Sequence, residues 1–320
     1  MNVLVLCGSQ EGKVGEDRFY PVDKEIIASL KKINGLEVTG QIYDEEELKK
    51  LSKDDFSVVF NLCDSFIDGR KEGEMVEHLE KKHIPFTGNS SKPLLLCMDK
   101  PAVKKLLQSS HVPCPLFFSV SSSSSQLPEN IPFPVIVKPA HEHGSVGIDE
   151  DAVVFDKDKF QKKVAKIFED VKQTLIVEQY IDGREYCIPI IGNAHPTVLP
   201  ILEIDYSQHF EEKAKILSYK AKWSKQSQVF KNTYSRISHM NEELKERLEA
   251  IAKKVYVAIG MRGYGTIDVR IDQFGNIYVI DVNMNSYIAP DSDLAKAAAH
   301  NGISYLDLLK KIMDFAIHTH

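Results

Sequence analysis

Over residues 1–90, short apolar runs alternate with longer stretches of helical spacing. Residues 3–7 (Val-Leu-Val-Leu-Cys) and 57–62 (Ser-Val-Val-Phe-Asn-Leu) are the clearest runs. Runs of this length suit parallel strands covered on both faces. Helical stretches near 23–33 and 44–51 and a strand near 37–42 lie between them, and another helix follows near 71–82. The alternation predicts an open parallel α/β sheet. Ligands of such sheets sit beyond the carboxyl ends of the strands, which directs attention to the loops Gly8–Tyr20 and Cys63–Glu74.

The pattern then changes. Ser91 can cap a helix with Pro93 in its first turn, Pro101 is expected to break it, and a second helix runs to about Ser110. Ser121–Ser125 with Pro128, Pro132 and Pro134 reads as a loop or linker. A strand at 135–138 ends in Lys138 and meets His141-Glu142-His143-Gly144-Ser145-Val146-Gly147. A helix near 156–172, a strand at 174–181 and a helix near 241–260 follow. Residues 205–236 are polar and weakly periodic, too long for a passive connection, and are expected to be functional.

Two segments with period-two alternation, Thr266–Asp272 and Ile277–Asn283, flank Phe274-Gly275-Asn276 and predict a hairpin. A four-residue loop would pair 272 with 277, 270 with 279 and 268 with 281. Asp268 and Asp281 would then face each other with Cβ atoms about 5 Å apart, and Asn283 would share their face. Opposed carboxylates inside apolar runs repel unless a cation lies between them, and an Asp, Asp, Asn oxygen set is hard-ligand chemistry suited to Mg²⁺. Lys138 before a Gly-Ser-Val-Gly loop could serve a phosphate. Taken alone, though, such a loop is more often an ordinary turn. Glu178 and Glu185, and Lys220-Ala-Lys222-Trp223 in the long polar stretch, are equally unspecific alone. The His141-Glu142-His143 triplet reads as loop surface, because adjacent residues rarely converge on one ion.

Composition narrows the classes. With 43% hydrophobic and 27% charged residues, collagen-like, disordered and membrane-spanning readings fall away. A net charge of −6, from 40 basic and 46 acidic residues, argues against nucleic-acid and membrane-surface partners. The Met1–Leu6 start reads as a buried strand, not a signal peptide. Five cysteines without CxxC spacing disfavour structural zinc and disulfides, and a reducing, cytoplasmic setting is expected.

Together these pieces resemble the ATP-grasp ligases, and within them the D-alanine–D-alanine ligase family. The resemblance follows Val59-Phe-Asn61-Leu, Gly73-Glu74, Ile84-Pro-Phe-Thr87-Gly88 and Met98-Asp99-Lys100. It continues through Pro134-Val-Ile-Val-Lys138-Pro139, Gly144-Ser-Val-Gly147, Glu178, Gly183 and Glu185, Lys222, Gly263–Asp268 and Asp281-Val-Asn283. It implies an α/β chain (α+β in the ATP-grasp part), in which an N-terminal open parallel domain precedes a two-part ATP-grasp fold. The expected domains are 1–95, 96–185 and 186–320, the last with a lid at about 205–236.

The resemblance also implies roles. Lys100, Lys138 and Lys222 would bind ATP phosphates, Glu178 the adenine amino group and Glu185 the ribose, with Tyr180 and Ile181 in the same nucleotide segment. Asp268, Asp281 and Asn283 would hold Mg²⁺, two ions, with Mn²⁺ as an alternative. Lys222 and Ser145 of the phosphate loop are expected in catalysis. The implied reaction phosphorylates a small-molecule carboxylate and lets an amine attack the acyl phosphate, giving an amide, ADP and phosphate. The family's tendency to pair makes a homodimer an expectation.

Departures fall on the substrate side. The glutamate that would hold the first substrate's amine is unassigned, with Glu16 and Asp17 as candidates. The phosphate-loop serine and lid tyrosine that latch the lid are Gly144 and Trp223 here. The arginine that neutralises the tetrahedral intermediate is Thr266, and Arg270, two strand steps along the same face, is expected to replace it in part. Tyr287 reshapes the acceptor pocket, and Ser292 stands where a serine receives the acceptor carboxylate. The leading expectation is an ADP-forming carboxylate–amine ligase for a substrate other than D-alanine. An authentic divergent D-alanine–D-alanine ligase is the second, and a nucleotide-binding protein without turnover the third.

Overall fold

The computed structural model describes residues 1–9, 15, 19–63, 69–122, 127–128, 131–142, 145, 147–149, 151–206, 214–224 and 226–318. The first unit runs β1 (Asn2–Cys7), α1 (Pro21–Leu30), β2 (Glu37–Ile42), α2 (Glu45–Lys50), β3 (Val58–Leu62) and α3 (Gly69–Lys81). Its strands are parallel in the order β2-β1-β3. All of β3, and β1 after Asn2, is buried, which is why both read as unbroken apolar runs. Helix α1 starts at Pro21, earlier than its periodicity suggests. A proline at the first helical position loses no hydrogen bond, and Asp23 accepts from the Tyr20 amide at 3.3 Å.

The second unit contains α4 (Ser91–Cys97), α5 (Lys100–Ser109), β4 (Phe117–Val120), β5 (Val135–Pro139), β6 (Val153–Val154), α6 (Lys157–Val171) and β7 (Leu175–Gln179). The helix break expected at Pro101 falls instead at Met98–Asp99. The Asp99 carboxylate accepts from the Ala102 amide at 2.9 Å and caps α5, so Pro101 sits in the first turn. The strands form an antiparallel sheet, β4-β7-β5-β6. One face, with Val135, Val137, Leu175 and Val177, packs on Phe160, Val164 and Ile167 of α6. Strand alternation turns Ile136, Lys138, Ile176 and Glu178 to the other face.

The third unit runs β8 (Arg184–Gly192), β9 (Thr197–Val198), β10 (Leu202–Asp205), α7 (Tyr219–Trp223), α8 (Gln228–Asn232), β11 (Tyr234–Ile237) and α9 (Glu242–Ile259). It ends with β12 (Gly263–Ile271), β13 (Ile277–Asn283), α10 (Asp293–His300) and α11 (Tyr305–Ile317). The main strand order is β11-β10-β8-β12-β13, with β9 also on β8. Leu4, Leu6, Val59 and Met75 share a core with Ile188, Ile267, Val269 and Val279, so the first and third units are packed together. Among the described residues no helix is long and apolar enough to cross a membrane.

The hairpin register is half as expected. Asp268 does oppose Asp281, but Val269, not Arg270, pairs with Val279, and Arg270 pairs with Tyr278. Ile271, not Asp272, pairs with Ile277, so the register is already one residue off at the turn, and a β-bulge between Asp268 and Val269, with Ile280 as the extra residue, restores the Asp268–Asp281 opposition. On the opposite strand the Val279 amide donates to the Pro113 carbonyl at 2.9 Å. Lys104 Nζ donates to the carbonyls of Val279 and Ile280 at 3.0 and 2.9 Å.

Candidate functional site

The cleft-facing side of the second unit's sheet is built around one buried carboxylate. Glu178 lies opposite Ile136, and Lys138, two residues along, reaches it diagonally with Nζ 2.9 Å from Oε2. Lys104, one turn after Lys100 on α5, brings a second ammonium to 3.4 Å from Oε1. Burial would raise the Glu178 pKa, but Lys104 and Lys138 outweigh it and hold the group ionised below its ordinary range. For Lys138, burial pulls downward and Glu178 outweighs it, so the lysine stays charged. Glu178 Oε1 is buried and accepts no hydrogen bond among the described residues. A buried acceptor of this kind is costly unless a donor arrives.

The third unit supplies the opposing wall. The Asp268 carboxylate accepts from the Asn283 amide at 3.1 Å, with Asp281 directly across the ladder. The Asp268 pKa is raised from 3.8 to about 7, chiefly by burial, with Asp281 and Glu185 adding and the Lys222 ammonium opposing. The two walls share one field. Asp281 acts on both Lys100 and Lys138, while Lys222, on α7, acts on Asp268. Burial pulls the Lys100 pKa down despite Asp281. Its Nζ donates to the Glu142 carbonyl, so the loop after β5 is tied to the start of α5.

Arg270 does not stand free to meet a reacting group. Its Nε and Nη2 donate to Glu185 Oε2 at 3.0 and 2.5 Å, Nη1 donates to the Ile181 carbonyl at 2.9 Å, and Nη2 also reaches the Lys215 carbonyl. The guanidinium lies 5.0 Å from the centre of the Tyr180 ring. The expectation that Arg270 supplies the missing intermediate-neutralising cation is therefore replaced: the side chain is spent on Glu185 and backbone. The β7–β8 connection can lie this close to β12 because position 183 is glycine. A Cβ at Gly183 (φ 153°) would sit 1.9 Å from the Ile271 carbonyl oxygen.

The remaining candidates are scattered. Thr266 is buried and shares a hydrogen bond with Ser286, Oγ1 to Oγ 2.9 Å. Ser292 is buried as the N-cap of α10, its Oγ accepting from the Ala295 amide at 3.1 Å. Tyr287 is exposed. Ser145, at φ 65°, donates to the Leu217 carbonyl at 2.9 Å. Glu16 and Asp17 lie outside the described residues. The pattern reading missed Lys104, which helical spacing from Lys100 could have exposed. It also missed Glu72, a buried carboxylate accepting from Asn61 at 3.1 Å and from Asn285. Asn61 inside an apolar strand was the available signal for that network.

Comparison with known proteins places this geometry. The family model described as D-ala D-ala ligase C-terminus matches residues 117–314. A D-alanine–D-alanine ligase of Carboxydothermus hydrogenoformans is 29% identical over 98% of this chain and 97% of its own length. The uncharacterized protein y4sG of Sinorhizobium fredii is 31% identical over 81% of this chain and 74% of its own. The crystal structure of a D-alanine–D-alanine ligase from Bacillus anthracis complexed with ATP superposes with a TM-score of 0.76. It is 24% identical and covers 99% of this chain and 97% of its own, and it establishes the fold. Fold and family match agree, and the chain belongs to the D-alanine–D-alanine ligase family of ATP-grasp ligases.

Proposed function

We propose that the protein is an ADP-forming carboxylate–amine ligase whose substrate pair differs from two molecules of D-alanine. The observation that carries the ligase reading is the placing of a buried Glu178 between Lys138 and Lys104 beside the opposed Asp268–Asp281 pair, with Lys100, Lys104 and Asp281 lining one pocket. In this reading ATP lies between the two sheets. Lys100, Lys138 and Lys222 hold its phosphates, and the unsatisfied Glu178 Oε1 accepts from the adenine amino group. Tyr180, Ile181 and Glu185 flank the base and ribose. Asp268, Asp281 and Asn283 fit Mg²⁺: their donors are hard oxygens once the Asn283 amide turns, and the carboxylate pair needs a cation. Bound there, two Mg²⁺ ions would supply charge neutralisation for phosphoryl transfer. The same reading divides the chain near residues 95 and 185 and makes the segment after 205 a lid.

The reaction moves the γ-phosphoryl group to a carboxylate oxygen. The amine then attacks the acyl carbon, the C–O bond to phosphate breaks, and the ammonium proton is lost to solvent. Lysines position and neutralise, and the lid keeps water from the acyl phosphate. The substrate part rests on the neutral Thr266–Ser286 hydroxyl pair and on Tyr287, which give a pocket poorer in positive charge than the family pattern implies. Ser292 would offer its hydroxyl proton to the acceptor carboxylate.

Phosphate release across a panel of paired D- and L-amino acids tests the reading. Release with a pair other than two D-alanines is expected. Release with D-alanine alone would overturn the substrate assignment and leave an authentic D-alanine–D-alanine ligase. Tight ATP binding with no release for any pair would overturn the ligase reading.

A further inference from the structure

The described residues on either side of 207–213 meet at one buried ion pair, Arg270 with Glu185. The Tyr206 hydroxyl, just before residues 207–213, donates to Glu185 Oε2 at 2.8 Å. Just after them, the Lys215 carbonyl accepts from Arg270 Nη2. The Tyr180 hydroxyl grips the same residue twice, donating to the Lys215 carbonyl at 3.1 Å and accepting from its amide at 3.0 Å. Ile216 then inserts among Ile136, Val153 and Tyr180 on the second unit's sheet. Leu217 and Tyr219 meet the Gly-rich loop, through Ser145 Oγ to the Leu217 carbonyl and the Tyr219 amide to the Ile148 carbonyl, at 2.9 and 3.0 Å. Lys222 follows one turn later, on α7.

We propose that Arg270 is a positioning residue: with Tyr180 it pins Lys215 and so sets where Lys222 stands relative to Asp268. This deepens the ligase reading and rests on it for the role of Lys222. Arg270 and Glu185 are 4% and 6% exposed. A buried pair of that kind adds little stability over apolar packing of the same volume. What it adds here is geometry. A planar fork reaches Glu185, Ile181 and Lys215 from three nitrogens held in one plane, a spread that the compact ammonium of a lysine lacks. The contacts fall into two sets. Arg270 and Tyr180 hold the base of the segment at Lys215, and Ser145 and Ile148 hold it further on, against the Gly-rich loop.

The test compares wild type, Tyr180→Phe, Arg270→Met and Arg270→Lys by thermal melting, by amide hydrogen exchange over residues 214–224 without nucleotide, and by kcat and KM for ATP. Tyr180→Phe and Arg270→Met are expected to speed exchange in that segment. They are also expected to lower kcat by up to about 100-fold, the cost of a misplacement near 1 Å. Tyr180→Phe keeps the ring beside the nucleotide and is expected to change KM much less, and Arg270→Lys is not expected to rescue. A raised KM with exchange unchanged overturns the proposal, as do unchanged exchange and kcat. If Arg270→Met does not fold, Tyr180→Phe, which removes one hydroxyl, decides. If wild type neither binds ATP nor turns over, the ligase reading fails, while exchange still decides whether Lys215 is pinned.

Discussion

Two carboxylate clusters lie on two different sheets, Glu178 on β7 and Asp268 with Asp281 on β12 and β13, and folding treats them oppositely. Glu178 is buried between Lys138 and Lys104 and stays ionised, its pKa held below the ordinary range against the effect of burial. Asp268 is partly withdrawn from water with a second aspartate opposite; Lys222 and the Asn283 amide do not make up for this, and its pKa rises to about 7. One cluster is electrostatically complete as folded; the other lacks positive charge. A protein tolerates such a deficit where a cationic or metal-bearing ligand supplies what is missing, and perturbed groups of this sort gather at functional sites.

The contrast breaks most sharply at Asp281. Asp281→Asn is expected to lower kcat by at least about 1,000-fold, the equivalent of several kcal/mol of metal-derived charge stabilisation. The same change should raise the melting temperature of the metal-free protein, because it removes the repulsion. A variant both less active and less stable would contradict the charge-deficit account. Lys138→Met acts on the complete cluster and should cost about 3 kcal/mol in urea unfolding, the low end for breaking a buried pair because Lys104 remains. Lys138→Met with Glu178→Gln should recover most of that loss; additivity of the two changes would show that the pair is not coupled.

pH sharpens the comparison further. A carboxyl whose folded pKa exceeds its unfolded value contributes stability that is full below the unfolded value and is lost as pH rises through the folded one. For Asp268 that window runs from 3.8 to about 7. Metal-free wild type should lose stability relative to Asp268→Asn across it, by on the order of a few kcal/mol. Mg²⁺ affinity should move the other way, rising with pH up to about 7 as the competing proton leaves. Parallel unfolding curves of the two proteins at every pH would place the Asp268 pKa near its ordinary value. The smallest effect is at Ser292. Ser292→Ala should cost about 1 kcal/mol through the lost α10 cap. If the hydroxyl also meets the acceptor carboxylate, the amine KM rises as well.

Much of this was legible in the sequence where chemistry is local. The strand at 37–42 matches β2 residue for residue, whereas the expected opposition of Asp268 to Asp281 holds only because the bulge at Ile280 cancels a one-residue miscount of the turn. The same counting failed at Arg270. Its partner is shifted by the turn, which leaves five residues between Ile271 and Ile277, and the bulge beyond it is bounded by Pro113 and Lys104, more than 160 residues away in sequence, which no period in the hairpin encodes. The fate of Arg270 was hidden for a similar reason. Its acceptor Glu185 lies 85 residues upstream, on a strand whose pairing with β12 is set by the fold. Ser292 could have been read as a cap from its place before an alanine-rich helical run, but the family resemblance drew attention to its substrate role. The N-terminal candidates, Glu16 and Asp17, lie outside the described residues, and their roles rest on sequence alone.

The most direct test of the charge deficit is ATP affinity with and without Mg²⁺, measured by calorimetry for wild type and Asp281→Asn. Mg²⁺ should tighten ATP binding to wild type by tenfold or more, about 1.4 kcal/mol, and should have little effect on Asp281→Asn. Equal Mg²⁺ dependence in the two proteins, or none in wild type, would contradict the account.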